Sequence, residues 1–327
     1  MKFGILYHAN CTDGFTAQWA AQKGIMEQYS DVQAIVSLPV SYTEESINNC
    51  ILQILAATVD ILYIVDFSLT RDILAKIKDA APMMEVVVLD HHKSAFEMYG
   101  YDMAEFAADS SFEIFEDRLH IKLDNSMSGA KLTWRYFFSD REFTPWLIEY
   151  VSDYDTWQFK HGDNTKYVNQ YIRSQEMEER IWDRMLTSME SPSTREDILH
   201  IGKDMYLRYM EKCETIASTA IGVMIDTSVG LLVVCQHKYA SQVGSILAKR
   251  CGTFGAILTF SRTDGAVMAK ISLRSEGDTD VSKLAAYLGG GGHKGAAGVE
   301  MYRSKFLGHL EELDIAFLSV EDVCENE

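Results

Sequence analysis

Val86-Val87-Val88-Leu89-Asp90-His91-His92-Lys93 is an uninterrupted apolar run that breaks into one carboxylate and two imidazoles. Such a run, rich in β-branched residues, reads as a short strand buried on both faces, the kind that parallel sheets contain. In open α/β sheets, ligands bind outside the C-terminal strand ends. An acid and two histidines at that mouth can hold a divalent metal and still touch a phosphate.

The same pattern recurs on the N-terminal side. Phe3 to Tyr7 reads as a strand that runs into His8-Ala9-Asn10-Cys11-Thr12-Asp13-Gly14, with a helix opening over Phe15 to Lys23. A helical stretch from Glu44 to Ala56 precedes a strand over Val59 to Val65, which ends in Asp66-Phe67-Ser68, and Leu69 to Ala80 is again helical. This alternation predicts an α/β fold whose N-terminal part is a mainly parallel, doubly wound sheet. Further helices are predicted over Ser128 to Phe138 and over Trp146 to Trp157, the latter carrying Asp153 and Asp155. A long charged helix runs from about Thr194 to Ala220, opened by Ser191-Pro192-Ser193-Thr194. Beyond it the pattern changes to short strands at Ile221–Ile225, Gly230–Cys235, Phe254–Ser261 and Ala266–Leu273, the last pair reading as a hairpin around Asp264-Gly265. The predicted organisation is a catalytic domain over 1–190, a helical connector over 191–220 and a smaller C-terminal α/β domain over 221–327.

A chain of 327 residues with 47% hydrophobic and 24% charged residues can bury two ordinary cores. No apolar run reaches the ~18–20 residues that span a bilayer, and the N-terminus reads as a first strand rather than a signal peptide. No membrane association is expected. The six cysteines, at 11, 50, 213, 235, 251 and 324, show no C-x-x-C spacing, which suits a reducing cytoplasm and argues against a disulfide framework. A net charge of −18 disfavours binding of long duplexes, which draws on Lys and Arg contacts to phosphate.

His8, Asp13, Asp66, Asp90, His91, His92 and Asp153 form the first chemical constellation. Carboxylates mixed with imidazoles suit Mn²⁺ or Mg²⁺ better than a thiolate zinc site. Two ions bridged by a carboxylate can activate a water and clamp a phosphoryl oxygen, and Asp66, on the middle strand, is the candidate bridge. Taken singly, Asp13 and Asp66 each fit a helix-cap position as well. The second constellation is Gly289-Gly290-Gly291-Gly292-His293-Lys294-Gly295, preceded by Arg274 at a predicted strand end. Consecutive glycines bring backbone N–H groups close to an anion, and the His-Lys pair adds donors, so this stretch reads as a phosphate or nucleotide cradle.

In order and spacing these motifs resemble the DHH phosphoesterase superfamily with a C-terminal DHHA1-type domain. The likeness runs from His8 to Gly14 through Asp66, Asp90-His91-His92 and Val151-Ser152-Asp153-Tyr154-Asp155 to Gly290–His293, and so covers most of the chain. It implies metal-ligand roles for His8, Asp13, Asp66, His91 and Asp153, with Asp155 competing for the last. Asp90 would ligate or orient through a neighbour, and His92 would face the scissile phosphate. Arg274, Gly290, Gly291, Gly292, His293 and Lys294 would bind the substrate, and Ser128 at a helix start would add anion-binding amides. Catalysis would rest on Asp13, Asp66, Asp90 and His92. Where many members of the family carry D-x-D, this chain has Cys11-Thr12-Asp13, so Cys11 is a soft ligand, a spectator or the mark of a weakened site. The implied activity is Mn²⁺-dependent hydrolysis of short oligonucleotides or small nucleotides, with two ions bound, Mg²⁺ or Co²⁺ as alternatives, a substrate cleft between the domains, and a homodimer left open. A RecJ-type single-strand exonuclease and a catalytically weakened nucleotide-binding module are the competing readings.

Overall fold

The computed structural model describes all residues except 264, 313, 322 and 324–327. The chain divides into two compact units, Met1–Tyr206 and Leu207–Glu327. Cys324 and the turn residue of the predicted hairpin, 264, fall outside the described residues.

The first unit contains β1 (Lys2–His8), α1 (Thr12–Gln28), β2 (Ala34–Val40), α2 (Glu44–Ala57), β3 (Ile61–Val65), α3 (Arg71–Ala80), β4 (Glu85–Asp90), α4 (Lys93–Tyr99), β5 (Ser111–Glu116), β6 (Leu119–Asp124), α5 (Gly129–Phe137), α6 (Trp146–Asp155), α7 (Asp163–Arg173) and α8 (Glu179–Glu190). Its sheet has the order β2-β1-β3-β4-β6-β5. Four of the five pairings are parallel, and only the edge hairpin β5–β6 is antiparallel. Side chains alternate faces along a strand, and here both faces are buried. Phe3, Ile5, Tyr63, Val65, Val87 and Leu89 pack with α1, α5 and α6, whereas Leu6, Leu62, Ile64, Val86 and Val88 pack with α2, α3 and α4. The near-continuous apolar runs through the middle of these strands are thus explained by helices on either side, and the expected doubly wound α/β sheet is what the chain forms.

A 26-residue helix, α9 (Pro192–Ala217), runs across the division, with proline at its first position, where the missing N–H costs nothing. The second unit continues with β7 (Ile221–Ile225), β8 (Ser228–Val234), α10 (Ala240–Cys251), β9 (Phe254–Thr263), β10 (Ala266–Ser275), α11 (Val281–Tyr287), β11 (Gly291–His293), β12 (Ala296–Tyr302), α12 (Arg303–Glu311) and β13 (Ile315–Leu318). They build a sheet of order β11-β12-β10-β9-β8-β7-β13, in which β8 and β9 alone run parallel. The β9–β10 pair keeps register from Phe254↔Ser275 to Thr263↔Ala266, a longer ladder than its apolar run suggested. Among the described residues no helix is long and apolar enough to cross a membrane, and the cysteines at 11, 50, 213, 235 and 251 are free thiols.

Candidate metal centre

Three adjacent strands deliver the polar groups to one edge of the first sheet. His8 closes β1, Asp66 follows β3 directly and Asp90 closes β4, and β3 pairs with both of the others. Asp66 is therefore central in space as well as in sequence. Its backbone takes the left-handed conformation at φ 53° while its N–H stays bonded to Leu89 O at 2.9 Å. A non-glycine residue held there by its surroundings is a form of strain that collects at functional sites. The start of α5 comes so close that a Cβ on Gly129 would lie 2.5 Å from Asp66 Cβ, so only glycine allows that approach.

His91 links the acids. Its Nε2 lies 3.2 Å from Asp66 Oδ1, 3.3 Å from Asp155 Oδ2 and 3.8 Å from Asp13 Oδ2. On the other side His8 Nδ1 is 3.6 Å from Asp66 Oδ2. Asp66 with His8 and Cys11, and Asp13 with His91 and Asp155, form two neighbouring groups whose ligand atoms could close on a cation, and Asp66 also groups with Asp90, His91 and His92. These contacts are not aligned as hydrogen bonds. Both Asp66 oxygens, Asp13 Oδ2 and His8 Nδ1 are buried without a hydrogen-bond partner. Buried carboxylate oxygens left bare are costly in a folded chain. A divalent cation is the partner whose charge and coordination fit them, so the residues present match a metal site.

The electrostatics point the same way. Burial, then repulsion from Asp66 and Asp155, pushes the Asp13 carboxyl well above the usual carboxylate range. Asp155 is raised first by burial and then by Asp66, against the pull of His91. Burial works against the Asp66 anion, yet His8, His91 and His92 beside it outweigh that penalty and hold its carboxyl below the usual range. Burial likewise disfavours the His91 imidazolium, but Asp66, Asp13 and Asp155 push it up to about 10.

Asp90 and His92 have distinct positions. Asp90 is fully buried, accepts from Ser68 Oγ at 2.6 Å and from the His91 N–H at 2.8 Å, and meets His92 Nδ1 at 2.7 Å. It thus holds the backbone of His91 and the ring of His92. His92 keeps a third of its side chain exposed, with Nε2 as the ring nitrogen not engaged by Asp90. Ser68 was quoted in the sequence only as part of the strand end, and its short residue spacing from Asp66 was the available signal.

Two placements correct the sequence reading. Asp153 does not join the cluster: its carboxylate accepts from Lys160 N at 2.8 Å, His161 N at 3.2 Å and Thr165 Oγ1, and so clamps the loop after α6. Asp155 takes the place beside His91. Ser128 is wholly buried and caps α5, accepting from Lys131 N, and the α5 amide of Ala130 is already taken by Asp13 Oδ1 at 3.2 Å. The anion that meets that helix start is Asp13. Neither Asp13 nor Asp66 is the N-cap of the helix that follows it: Asp13 lies inside the first turn of α1 behind Cys11, and α3 is capped by Thr70. The Cys11 thiol is pushed up by burial, then by Asp66 and Asp13, so it stays protonated beside His8 and Asp66.

In the second unit, Arg274 and His293 face the same residue of β12 from either side, since both pair with Ala296. Arg274 donates to Ser241 Oγ at 3.2 and 3.3 Å and to Leu273 O at 2.9 Å. Gly291, Gly292 and His293 form the exposed edge strand β11, with Gly292 at φ 145°. Gly290 precedes that strand and packs against the Gly298 carbonyl, which a Cβ would meet at 2.3 Å. Lys294 turns its amine toward Asp278 at 3.7 Å and its carbonyl to Val281 N at 3.0 Å, so it anchors the turn.

Residues 230–319 match the DHHA1 domain family. Over 322 residues the chain is 24% identical to an uncharacterized protein of Acanthamoeba polyphaga mimivirus, spanning 95% of this chain and 70% of that one. Among solved structures, an exopolyphosphatase-related protein from Bacteroides fragilis aligns at 17% identity over 96% of this chain and 92% of its own, with a TM-score of 0.48. RecJ in complex with Mn²⁺ from Thermus thermophilus aligns at 14% identity over 96% of this chain and 51% of its own, also at 0.48. Likeness at that level carries no functional argument. The DHHA1 match bears out the resemblance drawn from the C-terminal glycine-rich turn.

Proposed function

We propose that this chain, which carries a DHHA1 domain behind the DHH motif residues, is a divalent-metal-dependent phosphoesterase acting on short oligonucleotides or small nucleotides. The observation that carries the reading is Asp66, buried with both oxygens unpartnered between His8 and Cys11 on one side and the Asp13–His91–Asp155 group on the other. His8, Asp66, Asp13, His91 and Asp155 would hold the ions. Bound there, divalent cations supply a water of lowered pKa and Lewis-acid charge at a phosphoryl oxygen.

The protein's own side chains do the rest. Asp90 fixes the His92 ring through Nδ1, which directs the remaining ring nitrogen outward as a donor. Burial disfavours the charged His92 ring, but Asp90 and Asp66 beside it raise its pKa above the ordinary value, which suits it to donate toward charge on a phosphoryl oxygen. In the second unit, Arg274 and His293 would serve as donors to the substrate. The net charge of −18 supports small substrates over long strands.

The test is hydrolysis of a substrate panel (dinucleotides, longer single strands, cyclic nucleotides, nucleoside bisphosphates and pyrophosphate) with Mn²⁺, Mg²⁺ or Co²⁺. Dinucleotide cleavage that needs added metal and is lost in Asp66→Asn supports the reading. Full activity in Asp66→Asn and His91→Ala overturns the metal assignment. Cys11 favours a second reading, because a neutral thiol stands where a carboxylate is expected. Nucleotide binding without turnover on any substrate would make the chain a binding module.

A further inference from the structure

Beyond β2 the chain places an aromatic hydroxyl at the sheet edge that carries the metal cluster. β2 runs parallel to β1 with Val40 opposite His8, so Tyr42 lies two residues past the C-terminal end of its strand, where ligands of such sheets bind. The turn is held on both sides of Tyr42. Val40 O accepts from Ala9 N at 2.9 Å, Ser46 Oγ accepts from Ser41 N at 3.0 Å, and Thr43 caps α2 by accepting from Ser46 N at 3.3 Å. The Tyr42 ring stands edge-on to His8, with centroids 5.3 Å apart at 68°, and packs on Phe67 at 4.5 Å. His92 also stands edge-on to His8, at 5.9 Å and 79°. Tyr42 and His92 therefore flank the same imidazole of the cluster.

Phenylalanine would pack on His8 and Phe67 equally well, so packing accounts for the ring and not for the hydroxyl. Tyr42 is 56% exposed, and its hydroxyl has no hydrogen-bond partner among the described residues. Burial and then the charges of Asp90 and Asp66 raise its pKa, so the hydroxyl lies within reach of those two acids. An ordinary phenol is in any case a donor at neutral pH. Asp90 is the residue that holds the His92 ring through Nδ1. The free ends of both side chains, a phenol and an imidazole, thus belong to one corner of the site. We infer that the Tyr42 hydroxyl is a further catalytic donor, which together with His92 would hydrogen-bond a non-bridging oxygen of the scissile phosphate. The inference rests on the phosphoesterase reading and adds a residue to it from a fourth strand end. A preorganised donor aimed at a phosphoryl oxygen acts on the charge that develops there, and so on kcat before KM.

The experiment compares the wild type with Tyr42→Phe, in the full chain at saturating Mn²⁺. This variant removes one oxygen and keeps the ring on His8 and Phe67, so the packing of the turn is retained. Dinucleotide hydrolysis should lose about 10²-fold in kcat, the scale of one missing oxyanion donor, with KM little changed. Mn²⁺ affinity and Tm should match the wild type. An unchanged kcat overturns the inference. So does a fall in kcat that comes with an equal fall in Mn²⁺ affinity, because Tyr42 would then act by positioning His8. Calorimetry of the Mn²⁺-loaded protein with inorganic phosphate gives a readout apart from turnover, and Tyr42→Phe should bind phosphate more weakly than the wild type. If the wild type hydrolyses no substrate, the phosphoesterase reading falls and this binding measurement decides the donor separately. Weaker phosphate binding by Tyr42→Phe sustains it, and equal binding removes it.

Discussion

Asp155 Oδ2 stands 3.3 Å from His91 Nε2, while Asp153, two residues earlier on α6, spends its carboxylate on Lys160 N, His161 N and Thr165. The two acids should therefore fail differently. Asp155→Asn should reduce Mn²⁺ affinity and activity by about 10²-fold or more with little loss of metal-free stability. Asp153→Asn should keep metal binding but cost about 1.5–3 kcal/mol, the usual worth of charged hydrogen bonds. Metal titration and urea unfolding of both variants check this, and the opposite pattern would restore Asp153 to the metal.

Asp153 also sets a pH dependence. Burial opposes its charge, but Thr165, Lys160 and His161 hold its carboxyl below the usual carboxylate range. A folded-state value below the unfolded one contributes stability above the unfolded pKa of about 3.9, and that stability is lost as pH falls through the folded value. Acid unfolding of the wild type should thus be steeper below about pH 4 than that of Asp153→Asn. Parallel curves from pH 6 downward would show that the clamp contributes nothing.

Gly129 offers a test of the close approach between α5 and Asp66. In an ordinary helix, Gly→Ala gains up to about 1 kcal/mol. Here the new Cβ would meet Asp66 Cβ at 2.5 Å and Oδ1 at 2.7 Å. Gly129→Ala should lose stability and Mn²⁺ affinity together, measured by thermal melting with and without metal. A gain in Tm with metal binding intact would mean that Asp66 yields without cost.

The legible parts of the fold were those where one face or both were uniformly apolar. β3 and β4 read clearly because helices cover both sides of them. β2 was missed: Ala34–Val40 is an edge strand interrupted by Ser37 and Pro39, which an edge tolerates and a pattern search discounts. The β5–β6 hairpin mixes acids and bases with its apolar residues, since its edge position leaves one side open. At the candidate site, the structure brings His8, Asp66 and Asp90-His91-His92 together because they lie at adjacent strand ends, with Asp13 in the first turn of the helix that follows β1. Asp155 was ranked below Asp153, since chemical type does not tell which of two carboxylates about 200° apart around one helix faces the cluster.

Cys11 provides the last test, because it stands with His8 and Asp66 where one ion would bind. Burial and the charge of Asp66 push its thiol up, so deprotonation for a metal is costly, and hard ions favour oxygen over sulfur. A carboxylate at that position meets the same acids, but a divalent ion offsets their repulsion and gains a matched ligand. Cys11→Asp should therefore bind Mn²⁺ more tightly than the wild type at the His8 side, while Cys11→Ala should match the wild type. Metal content after dialysis and Mn²⁺ titration followed by electron paramagnetic resonance measure both. If Cys11→Ala loses an ion that the wild type holds, the thiol is a ligand after all. If Cys11→Asp gains nothing, the His8 side is not a metal position, and the chain would act through the Asp13–His91–Asp155 group alone.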